Sequence, residues 1–331
     1  MQTTMQAAVL AAFGQPLQLN DIATPSAAKG QVLVRVAASG VNPLDTKIVA
    51  GKAEHAQQQP GAVLGIDLAG VVAAVGDGVT GFAPGDEVYG MTGGVGGVPG
   101  SLAQYAAVDA DLLAHKPRNL SLRQAAAMPL IFITAWEGLV DRAQVKAAMK
   151  VLVHGGAGGV GHMAVQLAKS LGASVYATGS AGQRETIEGY GATFIDYTNI
   201  SVEDYVDRFT DGEGFDVVYD TVGGATLDLS FRAARRYTGH VVSCLGWGTH
   251  ALAPLSFRAA TYSGVFTLLP LLSGRGRAHH GEIMRAAAAL AEAGQLTVHV
   301  DPSRYTLASV NEAHSALTGR TARGKLVVDV L

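Results

Sequence analysis

Hydrophobic positions in the first third of the chain come in short bursts: "QVLVRVAAS", "LAGVVAAVG", "DEVYG" and "AQYAAV", punctuated by Gly, Pro and Asp. Bursts of that length, rich in Val and bounded by turn formers, predict strands joined by tight turns. Residues 1–122 therefore read as a β-rich, partly barrel-like domain. At "SLRQAAAM" the pattern turns helical, because Ser121 and Gln124 have the spacing of a capping box. A domain boundary is expected at 122/123.

Beyond that point strand-like and helix-like segments alternate. "KVLVH" is a continuous apolar strand; "GVGHMAVQLAKSLG" places Val160, Ala164, Leu167 and Leu171 on one helical face, with Gly172 set to end it. "SVYATG", "ATFID", "FDVVYD" and "HVVSCLG" continue the series. This alternation predicts a doubly wound parallel sheet, an α/β domain over 123–269. After it, "HGEIMRAAAALAEAGQL" reads as an amphipathic helix ending at Gly294, and "KLVVDVL" as a closing strand. Residues 270–331 are assigned to the first, β-rich domain, which is then discontinuous.

Composition fits two compact domains. The 331 residues hold 42 glycines and 15% charged residues, which points to many turns rather than disorder. A net charge of −3 and the lack of an Arg/Lys-aromatic cluster argue against nucleic acid or an acidic membrane as partner. No stretch approaches the roughly 20 apolar residues of a membrane span. The N-terminus shows no signal-peptide pattern, so a cytoplasmic location is expected. The single cysteine, Cys244, excludes an internal disulfide and a Cys-rich zinc site, and reads as a small buried hydrophobe in a strand. His154 ends a strand and is expected to bond locally. His279 and His280 are adjacent, so they do not form an i, i+4 metal pair, and a surface helix start is their expected setting.

"VLVHGGAGGVGHMAVQ" carries Gly156-x-Gly158-x-x-Gly161 between a strand and a helix. In that context the spacing is fairly specific for a dinucleotide. Gly156 is expected to allow the tight turn, Gly158 to let a pyrophosphate approach, and Gly161 to let the helix pack closely; the helix N-terminus offers N–H groups to phosphate. About 20 residues on, where NAD-binding chains carry an acid, stand Thr178, Gly179 and Ser180. Ser180 and Arg184 are suited to a 2′-phosphate. A charge-assisted bond of about 1.5–3 kcal/mol gives a roughly 10- to 150-fold preference for NADPH. An ordinary surface helix residue is the plainer alternative for Arg184.

The β-rich half with "GVNPLDTKIVAG", "LGIDLAGVV", "PGDEVYG", "HGGAGGVG" and "ARGKLVVDV" together resemble the medium-chain dehydrogenase/reductase superfamily, and within it the zinc-free quinone oxidoreductase branch. The resemblance implies a GroES-like catalytic domain interrupted by a Rossmann domain. It also implies NADPH-dependent reduction of quinones or α,β-unsaturated carbonyl compounds. In the zinc-dependent relatives the segments matching "GVNPLD" and "LGIDLAG" carry a metal-binding cysteine and histidine; here they hold Asn42 and Ile66. An amide and a hydrocarbon do not replace thiolate and imidazole, so no metal is expected. Position by position, the resemblance implies cofactor contacts at Thr134, Gly158, Gly159, Val160, Tyr197, Leu245, Gly246, Phe266 and Lys325. It also implies a homodimer contact in "YSGVFTLLPLL". Two positions depart from the pattern: Gln183 stands where a basic residue is usual, and Lys47 where a tyrosine is common.

Without zinc the substrate must bring its own electrophilicity, as a quinone or enone does, and the protein supplies proximity and a donor worth about 2.7–4 kcal/mol. The candidate donors are Asn42 and Lys47, with Asp45 orienting them. Each has a plainer reading: Asn42-Pro43 as a turn, Asp45 as a helix cap, Lys47 as a solvated side chain. Two other functions fit the same residues, an enoyl-thioester reductase and a low-turnover NADPH-binding structural protein.

Overall fold

The computed structural model describes residues 3–331, so the first two residues of the expected 1–122 segment lie outside the described residues. The chain forms two units, Met1–Leu130 with Leu268–Leu331, and Ile131–Thr267. The divisions fall at 130/131 and 267/268, beside the composition changes read at 122/123 and 269/270. The helix Leu122–Ala126 stays with the first unit. Its Ser121–Gln124 capping box forms, with Ser121 N donating to Gln124 Oε1 at 2.9 Å, and the helix packs on the strands Gln31–Gly40 and Asp67–Val75.

The first unit is built on one long strand, Gln31–Gly40, whose inward positions from Val32 to Ala38 are buried. One edge pairs antiparallel with Asp67–Val75. The other is shared: Tyr105–Asp109 covers its first half and Val327–Asp329 its last residues. Register shifts at Leu33/Val34 and Val36/Ala38 bend the strand, as bulges do, and let one strand serve both partners. Glu87–Met91, Ala114–His115 and Tyr305–Thr306 complete the seven-stranded sheet, and Thr4–Val9 with Gln18–Ala23 makes a separate two-stranded ribbon. The helix Arg277–Glu292 packs against Glu87–Met91, where Tyr89 donates its buried hydroxyl to Met284 O at 2.6 Å. Gly294, at φ 70°, follows its end.

The second unit holds six parallel strands: Lys150–His154, Ser174–Gly179, Thr193–Asp196, Val217–Asp220, His240–Ser243 and Thr261–Gly264. Counted in chain order, they lie third, second, first, fourth, fifth, sixth across the sheet. This is the order expected of a Rossmann sheet, with the change of direction beside the first strand. The apolar runs recognised as strands bury Leu152, Phe215, Val218 and Val241 in one core with Phe231 of the helix Ala225–Ala233; each large side chain buried there contributes about 1.5–3 kcal/mol. The sixth strand overlaps the start of the run "YSGVFTLLPLL", which the hydrophobic pattern alone does not mark as a strand. Among the described residues no helix is long and apolar enough to cross a membrane.

Candidate functional site

Strand register decides what meets at the end of the first unit's long strand. Gly40 stands opposite Asp67 on one side and Val327 on the other. The chain leaving Gly40 therefore runs between the start of one neighbour and the residues just before the other. Asn42 caps the short helix Pro43–Val49, with Pro43 in its first turn. Its N–H donates to Asp45 Oδ2 at 2.8 Å, and its side-chain Nδ2 donates to Asp67 Oδ2 at 2.9 Å. Lys325 reaches in from the other side, donating to Val41 O at 2.7 Å and to Asn42 Oδ1, with Asp67 Oδ2 3.9 Å away. The remaining Asp67 oxygen accepts from Leu130 N at 2.8 Å.

Asn42, Asp45, Asp67 and Lys325 are all buried. Burial pushes the Asp45 carboxyl up to about 7; the Asn42 N–H and the Lys325 charge pull against the rise, and the Asp67 charge adds to it. Burial likewise pushes Asp67 up to about 6, opposed by Lys325, the Asn42 amide and the Leu130 N–H. Burial lowers Lys325, and the two carboxylates resist that. The result is two acids and one ammonium competing for charge in a medium that disfavours it.

Lys47 is exposed and takes no part in the cluster; the ammonium beside Asn42 belongs to Lys325. Asn42 is fully buried, with its amide bonded to Asp67 and Lys325. Asp67 was missed, although an acid inside the apolar run "LGIDLAGVV" is itself a signal. Ile66, at the second position compared with a metal ligand, is fully buried. Among the described residues no three His, Cys, Asp or Glu side chains gather as metal ligands would.

In the second unit the strand Lys150–His154 delivers the glycine loop. Gly155, at φ 73°, makes the left-handed turn expected of Gly156. Gly156 is needed for space instead, since a Cβ there would lie 2.6 Å from Ala177 Cβ. Gly158 is the N-cap of the helix Gly159–Ser170, which ends before Gly172 at φ 83°. A Cβ on Gly161 would sit 2.0 Å from Gly155 O, so the helix packs on the turn through that glycine. Gly158 and Gly159 are exposed, and the first-turn N–H groups, Val160 included, have no partner within the helix. This open, positively polarised end fits a pyrophosphate.

Ser180 and Tyr197 follow paired strand ends, since Gly179 stands opposite Asp196. Ser180 N donates to Gln183 Oε1 at 3.0 Å, so Gln183 caps the turn. Exposed Arg184 pairs with Glu188 at 3.1 Å and lies 4.4 Å over the Phe194 ring; Tyr197 is 59% exposed. Thr134 Oγ1 lies 3.1 Å from Thr267 Oγ1, which donates to Glu137 Oε2 at 3.1 Å. Tyr219 donates its hydroxyl to Thr134 O at 2.6 Å. Leu245 and Gly246 lie just past the fifth strand, and Phe266 just past the sixth, edge-on to Trp247 at 6.3 Å.

The remaining histidines and the cysteine refine the picture. His154 is buried 3.3 Å from Thr178 Oγ1, and burial pulls it down to about 4, so the ring is neutral at pH 7. His280 is buried, unlike the surface setting expected for both histidines; only His279 is exposed, near Glu282. Cys244 lies past the end of its strand and is half-buried; burial pushes its thiol up to about 12.

Comparison with known proteins places this geometry. Residues 28–118 match the alcohol dehydrogenase GroES-like domain, and residues 190–328 match the zinc-binding dehydrogenase family. The chain is 37% identical to 2-methylene-furan-3-one reductase of Solanum lycopersicum, over 93% of this chain and 74% of that protein. It is 32% identical to quinone oxidoreductase of Homo sapiens, over 99% of this chain and 98% of that one. An alcohol dehydrogenase superfamily protein from Novosphingobium aromaticivorans, known as a crystal structure, is 55% identical and superimposes with a TM-score of 0.97, covering 99% of this chain and 100% of that chain. With similarity running through both units, the chain belongs to the medium-chain dehydrogenase/reductase superfamily, in the branch that includes quinone oxidoreductase.

Proposed function

We propose that the protein is an NADPH-dependent, zinc-independent oxidoreductase that transfers hydride to a quinone or to the activated C=C bond of an α,β-unsaturated carbonyl compound. The observation that carries this reading is the buried Asn42–Asp67–Lys325 cluster at the position where zinc-dependent relatives carry a metal ligand. A neutral amide tied to an ammonium and a carboxylate offers no Lewis acid, so the acceptor must be electrophilic by conjugation. The names of the tomato and human relatives support the same substrate class.

NADPH, when bound, supplies the hydride. The residues proposed to hold it are the glycine loop Gly156–Gly161 at the pyrophosphate, Ser180, Arg184 and Tyr197 at the 2′-phosphate, and Thr134, Leu245, Gly246 and Phe266 toward the nicotinamide. Absence of an acid at Ser180 removes the repulsion that would disfavour a 2′-phosphate. Asn42 has a donor to spare: one Nδ2 hydrogen serves Asp67, while the other makes only a 3.5 Å contact with Gly40 O. That hydrogen is the proposed partner of the oxygen on which charge develops. Asp45 holds the turn that carries Asn42. The unit containing residues 3–130 and 268–331 serves as catalytic domain and 131–267 as cofactor domain. The same reading has the enzyme working as a cytoplasmic homodimer on a small-molecule electrophile, without nucleic acid or membrane. The edge strand Thr261–Gly264, paired on one side only, supports self-association.

Purified protein is to be offered NADPH with a benzoquinone, an alkenone and a crotonyl thioester, following loss of reduced nicotinamide absorbance, with metal content measured in parallel. Turnover of the quinone or alkenone without stoichiometric zinc is expected. Turnover of the thioester alone would move the assignment to an enoyl reductase, NADPH binding without turnover to a structural protein, and one zinc per chain would overturn the metal-free chemistry.

A further inference from the structure

The Asn42 carboxamide is held from both ends by opposite charges. Its Oδ1 accepts from the Lys325 ammonium, and its Nδ2 donates to the Asp67 carboxylate at 2.9 Å. Turning the amide over would set Nδ2 against an ammonium, which has no acceptor, and Oδ1 against a carboxylate, which has no donor. Two charge-assisted bonds would become two repulsions, so one orientation alone satisfies the surroundings. Lys325 also holds the backbone that carries the amide, through Val41 O at 2.7 Å, and Val41 N donates to Leu326 O at 2.9 Å. The side chain is buried; its polar contacts include Val41, Asn42 and Asp67, and its charge also acts on Asp45.

We propose that Lys325 and Asp67 are positioning residues that lock the Asn42 carboxamide in one orientation, and that Lys325 acts on hydride transfer through Asn42 rather than by touching the cofactor. This inference rests on the reductase reading for its effect on turnover. The lock itself is a property of the folded chain and is testable without turnover.

The test compares Lys325→Met, Lys325→Arg, Asn42→Ala and the double variant Asn42→Ala/Lys325→Met with the parent. Three readouts are used: kcat and KM for an alkenone, NADPH affinity by fluorescence, and solvent exchange of the Asn42 side-chain amide by NMR on protein carrying isotope-labelled asparagine. Lys325→Met is expected to lower kcat about 10- to 100-fold by misplacing the donor, with Lys325→Arg recovering part of the loss. NADPH affinity is expected to change less than about threefold, since no charge-assisted contact to the cofactor is removed. In the Asn42→Ala background the lysine substitution is expected to add less than about twofold, because residues acting through one another are not additive. Exchange of the Asn42 amide is expected to speed up.

An equally large effect of Lys325→Met with and without Asn42, or a loss confined to NADPH affinity, overturns the proposal. Should Lys325→Met fail to fold, Asp67→Asn carries the test, being nearly isosteric. Faster amide exchange at Asn42 supports the lock and an unchanged rate overturns it. Failure of the parent to reduce any electrophile would sink the reductase reading and leave the exchange measurement to decide the lock.

Discussion

Replacing Asp45 by asparagine and following stability against pH isolates the proton held in the first unit. Asp45 accepts from the Asn42 N–H through Oδ2, and its Oδ1 is buried without a hydrogen-bond partner. Burial, with the Asp67 charge adding to it, raises the carboxyl from 3.8 to about 7 against the pull of the Asn42 N–H and Lys325. In the unfolded chain this group ionises near 3.8, whereas in the folded chain it keeps its proton until the pH nears 7. Its contribution to stability is thus whole below the unfolded value and is lost as the pH rises through the folded one. A rise of about three units corresponds to roughly 4 kcal/mol. Asp67 and Lys325 exchange charge with the same group, so we expect about 2–4 kcal/mol. Both tryptophans, Trp136 and Trp247, lie in the second unit, so urea unfolding is best followed by backbone circular dichroism or hydrogen exchange. Taking the stability of Asp45→Asn minus that of the parent at each pH cancels the other titrating groups. The difference should grow from about zero near pH 4 by about 2–4 kcal/mol toward pH 8. A difference that stays level, or one that shrinks as the pH rises, would refute the neutral buried acid.

The glycine loop separates fold from ligand. Gly161→Ala forces a Cβ to 2.0 Å from Gly155 O and should cost about 1–3 kcal/mol in thermal unfolding. Gly159→Ala meets only Ile131 Cγ2 at 3.4 Å and should keep its melting temperature while NADPH binding, by titration calorimetry, weakens about tenfold. Arg184→Ala gives up an exposed pair worth about 0.3–0.5 kcal/mol, yet should lower the NADPH-over-NADH preference in kcat/KM by about 10-fold or more. Tyr219→Phe removes the buried bond to Thr134 O and should cost about 1–3 kcal/mol in chemical denaturation.

What the sequence shows of this protein depends on how local the physics is. Five strands of the second unit are legible because a strand buried on both faces is a continuous apolar run. The sixth, "TYSG", carries three hydroxyl residues and is a strand through its pairing with His240–Ser243. Asn42 and Asp45 stand out as polar residues among apolar neighbours and do meet. Lys47, two residues further, does not, because positions two apart on a helix point to different faces. The ammonium beside Asn42, that of Lys325, arrives through the register between Gly40 and Val327, which no local pattern encodes. The fingerprint spacing likewise marks the glycine loop without saying which of Gly155 and Gly156 turns the chain.

The lysine that balances Asp67 comes after the whole sequence of the second unit. A ribosome therefore makes the acid early and its counter-charge late. Residues 131–267 can complete their sheet while the first unit still lacks Val327–Asp329. During that interval Asp67 has either water or a proton in place of an ammonium. Synthesis thus orders the molecule in time: the half built on the glycine loop can be whole first, and the charge balance around Asn42 is set afterwards.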